Sequence, residues 1–241
     1  MGIEFVNVGK TLREKKRKTK VFEEASALFD AGRVSGVLGA SSSGKSTLVN
    51  LAISKLLPDA GRVRRSALIS FPVAGGGVFN GSLSARENIA FLCRVFGHDP
   101  VPILRFIRDF AEVSKEVTEK PFGALTREQR TRLMFTTSYA IPFDLYIADS
   151  AVVGGTGAFR EQCEELVRER MKQSGFLIVT STPRLLSNFC NAFFVIENHR
   201  IVEVESAEAA KARLGDAKLT DGEGAVDELV ETGENDYIPL L

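Results

Sequence analysis

One short segment combines two glycines, a lysine and a serine at the spacing of a phosphate-binding loop. Gly39, Gly44, Lys45 and Ser46 match the pattern G-x-x-x-x-G-K-[ST], between an apolar run and a helical pattern. The glycines let the backbone curl so that successive N–H groups point at phosphate oxygens. The lysine reaches the β- and γ-phosphates, and the serine hydroxyl ligates Mg²⁺ where the following helix begins. The residues predicted to bind the nucleotide phosphates are Gly39, Ala40, Ser41, Ser42, Ser43, Gly44, Lys45, Ser46 and Thr47.

A second segment supplies the acid that a magnesium site beside such a loop needs. Residues 143–148 form a largely apolar run that ends in Asp149. In P-loop NTPases an aspartate at the end of an apolar strand helps to hold the metal ion. We therefore predict Ser46 and Asp149 as ligands of a Mg²⁺ ion that accompanies the bound nucleotide phosphates. The sequence contains no N-K-x-D segment, so guanine specificity has no support.

The composition excludes several other classes of function. The 241 residues include 31 Lys and Arg against 31 Asp and Glu, so net charge gives no case for a nucleic-acid partner. No apolar run approaches the roughly 20 residues of a membrane span. The three cysteines are far apart and form no CxxC pair, and there are two histidines, so a zinc site or a disulfide framework is not expected.

Strand and helix patterns alternate along most of the chain. Continuous apolar strands between helices predict a largely parallel sheet covered on both faces. Ser84 and Glu87 have the spacing of a capping box at a helix start. Strands are predicted at 3–8, 34–38, 67–71, 143–148, 176–180, 192–197 and 200–205, and helices at 46–57, 84–96, 103–113, 126–140 and 158–172.

Charge is unevenly distributed at the two ends of the chain. Residues 10–20 contain seven Lys and Arg against Glu14, which favours a solvated hairpin tip, with a patch for anionic lipid headgroups as the alternative. Residues 215–241 are acidic and contain few large apolar side chains. They are predicted to form a flexible tail outside the folded domain.

Residues 71–88, FPVAGGGVFNGSLSAREN, distinguish the chain from other proteins with a phosphate loop. An early proline, a glycine cluster, G-S-L-[ST] and R-E-N follow one another in this segment. With the phosphate loop and Asp149, these features make the chain resemble the ATP-binding subunits of ABC transporters. Within that family it is similar to the group that energises export of capsular and related bacterial polysaccharides. The resemblance covers about residues 3–204.

The resemblance implies an α/β P-loop NTPase fold with three parts: a RecA-like core, an antiparallel β lobe and a helical lobe at about 84–140. These parts would make up an ATP-binding domain of residues 1–214. Two such domains face each other head to tail in the family, and each ATP lies between one phosphate loop and the other domain's signature segment. The expected partners are a transmembrane permease and a second ATP-binding subunit, identical or different. The expected location is cytoplasmic, peripheral on the inner face of the bacterial inner membrane.

The family's signature, LSGGQ, corresponds to residues 125–129, which have lost both glycines. Thr126 keeps a hydroxyl and Gln129 matches, but Arg127 and Glu128 replace the glycines at a helix N-terminus that faces the γ-phosphate in the family. Two unit charges about 4 Å apart interact by about 4 kcal/mol at an effective dielectric constant of about 20. A Glu128 carboxylate pointing there would therefore oppose the triphosphate, and Arg127 would offset this repulsion.

Two positions that the family uses for hydrolysis are also replaced. The glutamate that polarises the attacking water corresponds to Ser150, which cannot act as a carboxylate base near neutral pH. The switch histidine corresponds to Ser181. Because general-base catalysis contributes about 10²- to 10⁴-fold, we expect slow or absent hydrolysis.

Three other family positions differ as well. Leu12 stands where an aromatic residue stacks on adenine, no glutamine occurs around Pro72, and residues 153–156 lack the usual aspartate. The sequence thus predicts an ATP-binding subunit of a polysaccharide exporter with impaired hydrolysis. A catalytically inactive regulatory module or heterodimer partner of the same fold is the alternative, and an unrelated P-loop kinase is a third hypothesis.

Overall fold

The structure is a computed structural model that describes residues 1–14, 17–73, 75–215 and 219. The described strands are β1 (Gly2–Glu14), β2 (Arg17–Asp30), β3 (Val34–Leu38), β4 (Ala60–Arg65), β5 (Ile69–Pro72), β6 (Leu145–Asp149), β7 (Gly175–Thr180), β8 (Ala192–Glu197) and β9 (Arg200–Val204). The described helices are α1 (Lys45–Ala52), α2 (Ala85–Val95), α3 (Pro100–Ala111), α4 (Lys115–Glu119), α5 (Arg127–Ala140), α6 (Gly157–Met171), α7 (Pro183–Phe189) and α8 (Ala207–Leu214), with 3₁₀ turns at Gly76–Val78 and Phe122–Ala124.

The chain divides into two compact units. Among the described residues, the first comprises Met1–Pro72, Phe143–Val152 and those from Met171 onward, and the second comprises those within Val73–Pro142 and Val153–Arg170. None of the helices in the described ranges is both long enough and apolar enough for a membrane span. The predicted acidic tail falls outside the described residues, apart from Gly215 and Leu219.

The first unit contains two sheets. The larger has the strand order β5-β6-β7-β3-β8-β9, in which all neighbours are parallel except the closing β8–β9 hairpin. This agrees with the predicted parallel sheet and with the predicted strands at 192–197 and 200–205, whose connecting residues Asn198 and His199 both have positive φ. The smaller sheet is antiparallel, with the order β2-β1-β4. Lys15 and Lys16, at the tip of the predicted basic hairpin, lie outside the described residues, but the flanking strands pair as an antiparallel hairpin.

Apolar side chains from both sheets and from α1 form the main core of the first unit. Phe29 of β2 packs edge-to-face against Phe5 and Phe194, with ring centroids 5.9 and 5.1 Å away. Leu48 and Leu51 of α1 are fully buried in the same cluster. This packing fixes the start of α1 against the carboxyl edge of the larger sheet, where the phosphate-loop sequence lies.

The second unit is mainly helical and contains α2 to α5 and nearly all of α6. Its helices start at caps that the sequence specifies locally. Ser84 and Glu87 form the predicted capping box of α2, and Thr126 and Gln129 form one at α5. Phe135 of α5 packs edge-to-face on Phe159 of α6, with centroids 6.4 Å apart.

Helix α1 is shorter than the predicted helix 46–57, which is wrong at both ends. It begins at Lys45 and ends at Ala52, and Ser54 already has a φ of 66°. The Arg65 guanidinium from β4 donates to the carbonyls of Ala52, at 2.6 Å, and of Leu51. These bonds give acceptors in the last turn of α1 a side-chain donor, so a contact distant in sequence stabilises the end of α1 before Pro58.

Candidate nucleotide-binding site

The phosphate-loop residues connect the middle of the parallel sheet to a buried helix. Strand β3 is buried along its whole length between β7 and β8. The loop leaves the sheet at Gly39, whose N–H donates to Thr180 O of β7 at 3.0 Å. It re-enters regular structure at Lys45, and the carbonyl of Gly44 accepts the first helical bond from Leu48 N at 2.8 Å. The sequence prediction of a strand, a glycine-containing turn and a helix is therefore correct here.

Both glycines of the motif occupy positions where a side chain does not fit. Gly44 has a φ of 108°, and a Cβ there would lie 2.4 Å from Val21 Cγ1 on β2. A Cβ at Gly39 would lie 2.4 Å from Ser43 Oγ and 2.9 Å from Lys45 Cγ. The loop therefore depends on glycine for its backbone angle at one position and for close approach at both. The contact with Val21 had no signal in the sequence pattern, because Val21 lies on β2, outside the loop motif.

Lys45 folds back over the loop that precedes it. Its Nζ donates to the carbonyls of Gly39, at 3.0 Å, and Ala40, at 2.8 Å. Partial burial lowers the pKa of Lys45, and the nearby Asp149 carboxylate opposes that shift. The ammonium group is thus held at the concave backbone of the loop, where a phosphate would meet a positive charge.

Asp149 ends β6 at the same sheet edge. It pairs in register with Val179 of β7, while Leu38 of β3 pairs with Thr180 on the other side of β7. Burial raises the pKa of Asp149, and the Lys45 charge and the Ser150 hydroxyl oppose the rise. The parallel register of β3, β7 and β6 therefore brings Asp149 and the loop that carries Lys45 to the same edge of the sheet.

The loop's hydroxyl groups differ in exposure. Ser41, Ser42 and Ser46 are exposed, whereas Thr47 is buried in α1. Within the described residues, the buried Ser43 Oγ has no hydrogen-bond partner. An exposed Ser46 hydroxyl at the start of α1 is accessible to a metal ion, and the Ser43 hydroxyl is available to an oxygen acceptor.

The two replaced hydrolytic positions lie at the same edge of the sheet. Ser150 follows β6 directly with a φ of 63°, and its Oγ is 3.5 Å from Asp149 Oδ1. Its N–H donates to Val179 O at 2.8 Å. Ser181 follows β7, between the buried Thr180 and Thr182. Serine hydroxyls therefore stand where the sequence comparison expected a carboxylate and an imidazole.

Comparison with known proteins finds clear relatives. The chain is 32% identical to the ATP-binding protein BexA of Haemophilus influenzae over 74% of this chain and 82% of BexA. It is 32% identical to the polysialic acid transport ATP-binding protein KpsT of Escherichia coli over 83% of this chain and 90% of KpsT. It is 28% identical to the capsule polysaccharide export ATP-binding protein CtrD of Neisseria meningitidis serogroup B, over 79% of this chain and 88% of CtrD. The chain belongs to the ABC-transporter ATP-binding proteins of the capsule and polysaccharide export family. No family model matches the chain.

Solved structures agree with this family at the level of the fold. The dimeric ATP-binding cassette MJ0796 bound to ADP and Pi superposes with a TM-score of 0.69 at 17% identity, covering 84% of this chain and 98% of that one. A putative metal-chelate type ABC transporter in an inward-facing conformation gives a TM-score of 0.64 at 16% identity, over 85% of this chain and 83% of that one. The predicted ABC-ATPase fold is confirmed.

The segment that corresponds to the family's signature begins α5 in the second unit. Thr126 Oγ1 accepts from Gln129 N at 3.2 Å, and Gln129 Oε1 accepts from Thr126 N at 3.1 Å. Arg127 and Glu128 occupy the first helical turn and are exposed. The Glu128 carboxylate accepts from Arg132 Nε at 3.0 Å, one turn further along α5. The counter-charge to Glu128 is therefore Arg132, and not only Arg127, as the sequence had suggested.

Residues 80–88, in the segment that first indicated the family, are held by one buried side chain. Asn88 is 4% exposed, and its Nδ2 donates to the carbonyls of Asn80 and Ser84 at 3.0 Å each. Its Oδ1 accepts from Asn80 N at 2.7 Å. In the same R-E-N triplet, Arg86 pairs with Glu119 at 2.9 Å and Glu87 caps α2. This triplet therefore organises a turn and a helix start within the second unit.

The structure also locates the position expected to stack on adenine. Leu12 lies in β1 and is partly buried against the main core of the first unit. Beside it, Lys10 Nζ bonds Asp59 Oδ1 at 2.9 Å and Leu57 O at 2.7 Å. Lys20 pairs with Glu23 at 2.7 Å. Part of the basic charge predicted for this hairpin is thus neutralised by ion pairs.

Proposed function

We propose that the chain is the ATP-binding subunit of an ABC transporter that exports a capsular or related polysaccharide, and that it binds Mg-ATP but hydrolyses it slowly. The observation on which this rests is the position of Lys45 and Asp149 at the same carboxyl edge of the sheet, beside a glycine-dependent loop. Family membership supports the transporter assignment, and the residue replacements support the slow hydrolysis.

Binding of the triphosphate rests on the loop residues Gly39 to Thr47. Their backbone N–H groups, together with the start of α1, provide donors and a partial positive charge for phosphate oxygens. Lys45 is already oriented towards the loop by bonds to two carbonyls, so little reorganisation precedes its contact with phosphate. Ser43 Oγ, which has no hydrogen-bond partner among the residues that the structure describes, adds a hydroxyl that can donate to a phosphate oxygen.

The residues present also suit a magnesium ion. Mg²⁺ in nucleotide sites takes one or two protein ligands and completes its shell with phosphate oxygens and water. Ser46 and Asp149 supply those two ligands. Among the described residues no three His, Cys, Asp or Glu side chains cluster as a metal site of their own, which suits an ion that arrives with its nucleotide. When bound, the ion neutralises charge on the phosphates.

Slow hydrolysis follows from the side chains at 150 and 181. The Ser150 hydroxyl cannot take a proton from water near neutral pH, and Ser181 cannot provide an imidazole for the γ-phosphate. The missing general base alone lowers turnover by about 10²- to 10⁴-fold. The residues that bind the nucleotide remain. We therefore expect this chain to retain its affinity for ATP while its rate of ATP hydrolysis is low.

The transporter assignment brings partners and a location with it. A membrane-embedded permease and a second ATP-binding subunit would complete the transporter. The chain would lie on the cytoplasmic face of the bacterial inner membrane. A heterodimer is favoured over a homodimer if the second subunit retains the glutamate and histidine that Ser150 and Ser181 replace here. A regulatory module that binds ATP without turnover is the alternative that these replacements support.

The test measures binding and phosphate release on one preparation. We expect wild-type protein to bind Mg-ATP saturably and to release little phosphate, and Lys45→Ala to lose binding. Gly97→Ala, in the second unit, serves as a control that leaves binding intact. Phosphate release at the rates of an ordinary transporter ATPase, abolished by Lys45→Ala, would contradict slow hydrolysis. Absence of binding in the wild type would contradict the whole proposal.

A further inference from the structure

The Glu128 side chain is controlled by a neighbour that the function described so far does not use. Glu128 replaces a glycine of the signature, at a helix start that approaches phosphate in the family. Its carboxylate accepts from Arg132 Nε at 3.0 Å, and it remains 74% exposed. Because the Glu128 side chain is largely exposed, the position of its carboxylate depends on how firmly the Arg132 guanidinium is held.

Arg132 is held from three sides. Its Nη1 pairs with Glu112 Oε2 at 2.7 Å and contacts Ala111 O at 3.4 Å, at the end of α3. Its guanidinium carbon lies 4.4 Å from the centre of the Phe159 ring of α6, a cation–π distance. Its side chain is 20% exposed. The planar guanidinium thus has fixed donors and a fixed face, which a flexible lysine would not reproduce.

We propose that Arg132 is a positioning residue that draws the Glu128 carboxylate along α5 and away from the helix N-terminus. This allows that N-terminus to approach the triphosphate bound by a second copy of the chain. The proposal rests on the proposed function, because it requires the head-to-tail arrangement of two ATP-binding chains. It adds a reason why a carboxylate is tolerated at a signature position.

The physical basis is charge neutralisation at short range. Glu128 in the first turn is favourable for the isolated helix, because it complements the positive end of the helix dipole. The same charge opposes an incoming triphosphate. The ion pair with Arg132 reduces this repulsion while the helix N-terminus remains accessible. Loss of Arg132 restores the repulsion, whereas simultaneous loss of the Glu128 charge removes it.

The experiment measures ATP-dependent self-association of the full chain by sedimentation, with and without Mg-ATP. Arg132→Ala is expected to weaken association by about tenfold, which corresponds to about 1.4 kcal/mol. Adding Glu128→Gln to Arg132→Ala should restore association to near the wild-type level. Arg132→Lys keeps the positive charge but not the planar guanidinium, so its association should be weaker than that of the wild type and stronger than that of Arg132→Ala. This variant also guards against a folding defect in Arg132→Ala.

A matched control is available in the same unit. Arg168 and Glu164 of α6 form an i,i+4 pair at 2.7 Å, so Arg168→Ala removes a similar pair that does not involve the signature. It should leave association unchanged. If Arg132→Ala associates like the wild type, or if Glu128→Gln fails to restore it, the proposal is overturned. It also falls if the wild type binds Mg-ATP but does not self-associate, an outcome that leaves nucleotide binding intact. Failure to bind nucleotide at all would instead overturn the proposed function.

Discussion

Gly44→Ala should damage the phosphate loop in two ways that can be measured separately. The backbone at Gly44 has a φ of 108°, and left-handed angles cost L-residues about 1–2 kcal/mol. The added Cβ would also lie 2.4 Å from Val21 Cγ1, a contact that forces one of the two to move. Val21 is 7% exposed and β-branched, so it cannot simply rotate away. Overpacking of this kind costs about 1–3 kcal/mol, which gives a total of about 2–5 kcal/mol.

Gly97→Ala is the matched control for the backbone contribution. Gly97 has a φ of 77°, and a Cβ there meets nothing within 4 Å. This substitution should cost about 1 kcal/mol and leave nucleotide affinity unchanged, because only the angle contributes. The difference between the two variants isolates the contact with Val21. Val21→Ala combined with Gly44→Ala should recover about 1 kcal/mol of that difference in a double-mutant cycle.

The assay is urea denaturation of nucleotide-free protein, followed by circular dichroism, together with a nucleotide titration of each folded variant. We expect Gly44→Ala to lose more stability than Gly97→Ala and to bind Mg-ATP at least about tenfold more weakly, a loss of about 1.4 kcal/mol. Equal stability losses for the two variants would refute the argument that the loop is shaped by close packing against β2. Unchanged affinity would refute the link between loop shape and phosphate binding.

Three further predictions test other residues. Ser150→Glu should raise ATP turnover by about 10²-fold, at the low end of general-base contributions because Ser181 still replaces the histidine; unchanged phosphate release would contradict the assigned defect. Burial raises the pKa of Asp149, so the native state holds this proton more tightly than the unfolded chain. Stability should therefore fall as pH rises from the ordinary aspartate pKa through the raised one. Asp149→Asn should remove that part of the pH dependence in thermal melts while weakening Mg-dependent nucleotide binding, and an unaltered pH profile would count against the cause given. Asn88→Ala should cost about 1–3 kcal/mol in urea denaturation, because the partly buried N–H of Asn80 loses its acceptor, Asn88 Oδ1; a stability equal to the wild type would show that the turn at residues 80–84 does not depend on Asn88.

Much of the fold was predictable because its signals are local. The buried parallel strands are short apolar runs, the caps of α2 and α5 have the correct residues at the correct spacing, and the β8–β9 turn follows from Asn198-His199. Strand β4 was not predicted, because Ala60–Arg65 contains three arginines and one large apolar residue, Val63, on a largely exposed strand. The early end of α1 was not predicted either, since it depends on Arg65, a residue that follows the helix by more than ten positions.

In the site, too, the residues with a local sequence motif were predicted, and the contacts between residues distant in sequence were not. The loop, Lys45 and Asp149 were identified from motif and strand patterns alone, because parallel strands bring their carboxyl ends to one edge. The contacts that shape or modify the site were not identified. Val21 reaches Gly44 from another sheet, and Arg132 combines contacts from α3, α5 and α6. One of these contacts had a local signal, because Arg132 follows Glu128 at the i,i+4 spacing of a helical ion pair.

The central claim is that the loop at Gly39–Thr47, with Lys45 and Asp149, binds Mg-ATP. A calorimetric titration of purified full-length chain with ATP, in the presence and absence of Mg²⁺, tests it most directly. We predict saturable binding that strengthens with Mg²⁺ in the wild type and in Gly97→Ala, and that is lost in Lys45→Ala. Binding by the wild type that is no stronger than that of Lys45→Ala would contradict the account.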